Sequence, residues 1–283
     1  MTVVPDVAGL DGKTFDYLVP GALADQVRVG TMVRIALSGR RVGAWVVAVD
    51  VEPPLGVQLK PIAKVTGWGP SPEMIDLARW AAWRWAGRLV HVLDTASPPG
   101  AVPSLHRSAR ASGGSATERT PQAHEVAVVR TPPTVDLLPV VRELVARGPS
   151  IVVAASVDVA RSLGKRLRAE GVPCALAPRD WARLAVGGTS ALGGRAAVWA
   201  PVPDLAGIVV VDEHDERLQE ERAPTWHARD VAIERARRAG VPCTLLTPTP
   251  SAEALAIADR VVEPSRAAER DGWPIVDGVD RRK

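Results

Sequence analysis

Two short runs, Ile151-Val152-Val153 and Ile208-Val209-Val210-Val211, are apolar at every position. A half-buried strand alternates apolar and polar side chains because its two faces meet different surroundings. An unbroken run rich in β-branched residues therefore asks for cover on both faces, which a parallel sheet flanked by helices supplies. The surrounding sequence agrees. Candidate strands at 125–129, 150–154, 173–177, 196–200, 207–211 and 242–247 alternate with helical patterns over 135–147, 157–170 and 225–239. This order predicts a parallel sheet with crossover helices, an α/β lobe of the Rossmann or RecA (P-loop) type over 124–260.

The first part of the chain follows a different rule. Over 1–96, Val27–Ile35 and Val42–Val51 alternate as strands, and Ser38-Gly39-Arg40-Arg41 between them reads as a hairpin turn. Several such strands in a short span suggest a small barrel or sandwich, a β-rich domain ahead of the α/β lobe. From 72 to 93 the pattern becomes helical, with Met74, Leu77, Ala78, Ala81 and Trp85 on one stripe, widened by Trp80 and Trp83. Between the two domains, 97–123 is rich in Pro, Gly, Ser and Arg and almost free of large apolar residues, which predicts a flexible linker. Residues 261–283 read as a polar tail holding Trp273.

Charge and cysteine content narrow the partners. A net charge of +3 and a pI near 9.2 permit a nucleic-acid partner without demanding one. Cys174 and Cys243 stand far apart in apolar settings, as buried strand cysteines do, and two cysteines with scattered histidines make no zinc site. Neither a secretory leader nor an apolar run of spanning length is visible, so the expected setting is the cytoplasm, with no membrane partner.

The segment Lys13-Thr14-Phe15-Asp16-Tyr17-Leu18-Val19-Pro20 resembles the start of the PriA (primosomal protein N′) family. The resemblance continues through Val29-Gly30, Val33-Arg34, Gly39-Arg40-Arg41 and Leu59-Lys60. It resumes at Pro201–Leu205, Val210–Asp215 and His227–Ala232, in the family's order. It implies a 3′-DNA-binding domain followed by a first helicase lobe. It also implies a pocket for the 3′-terminal nucleotide of a nascent strand built from Phe15, Asp16, Gly39 and Lys60. An aromatic face stacks on any base, for about 1–3 kcal/mol. A carboxylate accepts from the terminal 3′-OH, and a lysine pairs with the adjacent phosphate. Arg40 and Arg41 would extend the contact along the backbone, and Arg28 and Arg34 would add to the basic surface. Tyr17 reads instead as a core residue, which is also the alternative reading of Phe15.

The lobe departs from the family where nucleotide would bind. In place of a glycine-rich phosphate loop ending in lysine, the chain has Val128-Val129-Arg130-Thr131-Pro132-Pro133-Thr134-Val135-Asp136. No glycine supplies positive φ, the prolines lack N–H groups, and Asp136 near a helix N-terminus would repel an anion. Asp212 and Glu213 sit where a Walker B pair would, in an Asp-Glu-His-Asp run one residue shorter than the family's, and read as vestigial. Thr247-Pro248-Thr249-Pro250-Ser251 echoes a helicase motif. The glycine pairs at 187–188 and 193–194 read as a flexible loop. The family's winged-helix domain, second helicase lobe and zinc module have no counterpart in this sequence, whether the chain is truncated or naturally short. The expectation is therefore a non-enzymatic DNA-binding protein of replication restart. Its partners would be forked or single-strand-containing DNA with a 3′ end and other restart proteins, and no cofactor is expected. The alternative is an ATP-dependent 3′→5′ DNA helicase using ATP and Mg, and a third reading leaves only a protein-binding lobe with a vestigial pocket.

Overall fold

A computed structural model describes residues 1–10, 12–52, 56–105 and 124–274. Strands β1 (Thr2–Pro5), β2 (Phe15–Asp16), β3 (Met32–Leu37), β4 (Arg40–Ala48) and β5 (Lys64–Gly67) form an antiparallel sheet in the order β2-β1-β4-β3-β5. Its two edges are drawn together. Leu18 N donates to Lys60 O at 2.9 Å and Ile62 N donates to Leu18 O at 3.1 Å, so the sheet curls towards a barrel. Val3, Tyr17, Val33, Ile35, Val46 and Ile62 fill its interior.

The hairpin between β3 and β4 is tighter than the sequence suggests. Leu37 pairs with Arg40, leaving Ser38 and Gly39 as a two-residue turn with φ of 47° and 77°. Two positive φ values match the twist of the flanking strands, and glycine takes such a value at no steric cost. Arg40 and Arg41 are thus the first residues of β4 and not the tip of a loop. The strand expected over Val27–Ile35 begins only at Met32, after a 3-10 turn at Gly21–Gln26.

The helical stretch is two helices. α1 (Pro72–Arg84) starts at Ser71, whose hydroxyl accepts from Met74 N, with Pro72 in the first turn. The chain breaks at Ala86, φ 47°, and resumes as α2 (Leu89–Ala96). The opening of the expected linker is fastened down: Trp45 Nε1 donates to Ser97 Oγ at 2.8 Å, and Trp68 N donates to Val102 O at 2.8 Å. The rest of that linker, 106–123, lies outside the described residues.

The second sheet is parallel throughout and has seven strands: β6 (Val126–Arg130), β7 (Ser150–Val153), β8 (Cys174–Leu176), β9 (Ser190–Gly193), β10 (Gly207–Val211), β11 (Cys243–Thr247) and β12 (Arg260–Val262). Their order is β12-β6-β11-β10-β7-β9-β8. Between them run α3 (Leu138–Val145), α4 (Val157–Ala169), α5 (Trp181–Ala185), α6 (Ala228–Ala239) and α7 (Ala252–Ile257). The apolar runs are covered on both faces, as their composition requires. Val152, Val209 and Val211 face α3 and α4, while Ile151, Ile208 and Val210 face α6 and the helices of the first domain. Cys174 and Cys243 are free and buried, and burial pushes the Cys243 thiol up to about 12.

Three expectations fail here. Residues 196–200 are not a strand: Arg195–Trp199 is a 3-10 turn, and the strand lies earlier, at Ser190–Gly193. Arg235, buried on α6, donates to the carbonyls of Val198 and Ala200, groups that a ladder would otherwise take. Gly193 and Gly194 are consequently not a flexible loop. A Cβ on Gly193 would stand 2.7 Å from Ala177 O, so the glycine permits close packing of strand and loop. The expected polar tail likewise carries order, since β12 and helix α8 (Arg266–Asp271) dock beside β6. Residues 275–283 lie outside the described residues.

Candidate functional site

Closing the barrel decides which residues of the first domain meet. The bonds of Leu18 to Lys60 and Ile62 lay the stretch before β5 against the end of β2, and so bring Lys60 beside Phe15 and Asp16. A cleft of about 350 Å³ opens there, lined by Phe15, Asp16, Lys60, Leu37, Ser38 and Gln58, among others. Phe15 is half-buried and Lys60 exposed. Asp16 is held in place: Thr2, its cross-strand partner, donates from Oγ1 to Asp16 Oδ1 at 2.6 Å, leaving the second oxygen for another donor. Tyr17 lies under the cleft in the core. Its hydroxyl donates to Ala36 O at 2.8 Å, and burial raises its pKa.

Three of the four pocket residues inferred from the resemblance, Phe15, Asp16 and Lys60, therefore line one cleft. Gly39 does not line it. Its place is in the turn next to Ser38, where a Cβ would meet nothing within 4 Å, so conformation and not space calls for glycine. Arg40 and Arg41 are exposed at the start of β4, away from the lining. Arg28 is engaged elsewhere, its guanidinium over the Trp68 ring. Sequence reasoning missed Thr2, Ser38 and Gln58. The register placing Thr2 opposite Asp16 leaves no local signal in the sequence.

The cleft presents an aromatic surface on which a planar group can stack, a fixed carboxylate that accepts but cannot donate, and a cation for an anionic group.

In the α/β lobe, the carboxyl ends of β6, β10 and β11 meet at the place where open parallel sheets bind ligands. The groups there are turned to one another. Asp212 follows β10 with φ 53°, a strained value for a residue with a side chain, and burial raises its pKa. Glu213 is wholly buried. It accepts from Arg229 Nη1 at 3.0 Å, Ser251 N at 2.7 Å and Ser251 Oγ at 3.0 Å. His214 Nδ1 lies 3.0 Å from Thr247 Oγ1.

The residues of the turn after β6 are similarly committed. Arg130 pairs with Glu263 at 2.5 Å and Glu269 at 2.8 Å. Thr134 donates through both N and Oγ1 to Gly272 O, at 3.1 and 2.8 Å. Asp136 accepts from Leu138 N and pairs with Arg166, which holds its carboxyl down at about 2. α8 and the residue after it thus stand against Pro132 and Thr134. Without glycines and with two prolines, this turn has few free N–H groups to turn towards a phosphate.

Among the described residues no helix is long and apolar enough to cross a membrane.

Comparison with known proteins places the first domain. Residues 2–98 match the family of the PriA 3′DNA-binding domain (3′BD). The replication restart protein PriA of Bacillus subtilis is 37% identical over 71 residues, covering 25% of this chain and 9% of that protein. The PriA of Treponema pallidum is 36% identical over 63 residues, 22% of this chain and 10% of that protein. The probable PriA of Mycobacterium leprae is 44% identical over 66 residues, 23% of this chain and 10% of that protein. The matched stretch is thus about a tenth of each relative's length.

Proposed function

Since residues 2–98 of this chain match the PriA 3′DNA-binding domain family, we propose that it is a DNA-binding protein of replication restart, acting in the cytoplasm. Its cleft receives the 3′ end of a nascent strand at a stalled fork. The observation that carries this reading is the convergence of Phe15, Asp16 and Lys60 on one cleft, with Thr2 fixing the carboxylate. Phe15 stacks on the terminal base, Asp16 accepts from the 3′-OH, and Lys60 pairs with the adjoining phosphate. Arg40 and Arg41 extend the contact along the backbone.

The α/β lobe serves as a scaffold for other restart proteins, and ATP hydrolysis is no part of its work. The pairing of Arg130 with Glu269 of α8 and of Glu213 with Arg229 supports this, because both commit to the fold side chains that a nucleotide would otherwise engage.

The test is binding of a labelled fork whose nascent strand ends in a 3′-OH or a 3′-phosphate. Tighter binding to the free 3′-OH is expected, with the preference abolished by Asp16→Ala. Equal binding of both ends, unaltered by that substitution, would sink the end-recognition site. DNA-stimulated ATP hydrolysis that disappears in Asp212→Ala would favour the helicase reading in its place.

A further inference from the structure

The outer face of the barrel carries an arrangement of charge that the cleft around Phe15 does not use. On β3, Arg34 stands directly opposite Lys64 of β5 on one side and Gly43 of β4 on the other. Val33 and Ile35 point into the barrel core, so Arg34, Lys64 and Gly43 share the outer face. Cross-strand neighbours have Cβ atoms about 4.5–5.5 Å apart, and like charges so placed repel. Both side chains are exposed, and neither has an ion-pair partner among the described residues. Arg130, Arg166, Arg229 and Arg260, by contrast, each meet a carboxylate.

The pair faces a groove of about 500 Å³ whose opposite wall is the segment Pro98–Val102. Gly43 leaves the floor bare, since a Cβ there would meet only Asp6, at 3.7 Å. Asp6 is the carboxylate of this groove. It lies beyond Gly43 from Arg34 and pairs with neither cation. The Trp68 ring on the groove is covered by Arg28, so the groove offers charge more than a surface for bases.

We propose that Arg34 and Lys64 clamp a backbone phosphate of the bound DNA strand, inward from the end seated at Phe15 and Asp16. This rests on reading that cleft as the 3′-end site. Lys60 on the cleft and Lys64 in the groove lie on one stretch of chain. Four residues at no more than about 3.3 Å each keep them within roughly 13 Å, a few nucleotides along a strand. The phosphate relieves the repulsion within the pair, and the contact is indifferent to sequence.

The experiment compares the full chain with its Arg34→Gln/Lys64→Gln variant on an oligonucleotide bearing a single-stranded 3′ end, titrated over a range of salt. The slope of log K against log salt should flatten by about 0.7, the loss of one single-strand phosphate contact. The preference for 3′-OH over 3′-phosphate should remain. An unchanged slope and affinity would overturn the clamp. A flattened slope in a protein with no 3′-OH preference would leave the clamp standing and remove the end site. Failure of the parent chain to bind DNA would remove both. Thermal melting at low salt supplies a second check. The variant should be at least as stable as the parent, and a lower Tm would make the pair structural and overturn the proposal.

Discussion

Glu213 is an acidic residue with no access to solvent, and its surroundings give it a structural occupation. Buried on the end of β10, it holds Arg229 at the start of α6 and Ser251 at the start of α7. Removing one member of a buried ion pair strands the other and costs about 3–5 kcal/mol. Arg229 keeps its pairing with Asp230 at 2.9 Å, so Glu213→Ala is expected to lower unfolding stability by less than that, about 1–3 kcal/mol, read from denaturant melts. Glu213→Gln, which keeps oxygen and shape, should lose less. A stability near that of the parent in the alanine variant would mean that the carboxylate is not structural. Asp16 is legible in the sequence through its motif, whereas Thr2 is not. Only the pairing of β1 with β2 sets that hydroxyl against the carboxylate.

Element boundaries depend on caps, and one of these titrates. His227 opens α6 by accepting from Arg229 N at Nδ1, 3.2 Å, a role open only to the neutral ring. Burial lowers its pKa, and the neighbouring Arg229 adds to the effect against the opposing pull of Asp230, Glu213 and Glu253. The unfolded chain, with a pKa near about 6.5, then takes up the proton first. Stability from this group is full above that pH and is lost as the pH falls towards the depressed folded value. Denaturant midpoints should decline below about pH 6.5, and His227→Asn, which caps without titrating, should flatten the decline. A slope unaltered by the substitution would assign the acid sensitivity to other groups. The displacement of strand β9 from its expected place belongs to this scale too. Ala196–Ala200 is an apolar run too short for periodicity to distinguish strand from helix. Arg235, reaching from a helix some 35 residues further on, takes its carbonyls.

The two domains share one core. α1 and α2 set Leu77, Ala81 and Leu93 into the same apolar cluster as Ile208 and Val231 of the lobe, and Trp181 Nε1 donates to Ala96 O at 3.0 Å. Domains so joined should unfold together. Calorimetry is expected to give one transition with equal calorimetric and van't Hoff enthalpies, and two resolved transitions would show that the domains fold independently. By itself the sequence determined the β-rich first domain, the doubly covered parallel sheet and the buried cysteines, because periodicity is a property of neighbours along the chain, whereas Phe15, Asp16 and Lys60 are legible only through the family resemblance. The tertiary structure alone decided that Lys60 reaches Phe15, that Arg34 faces Lys64, and that α8 docks beside β6 against Arg130. Those are meetings of segments far apart in the chain, set by sheet register and closure, and no local pattern of residues encodes them.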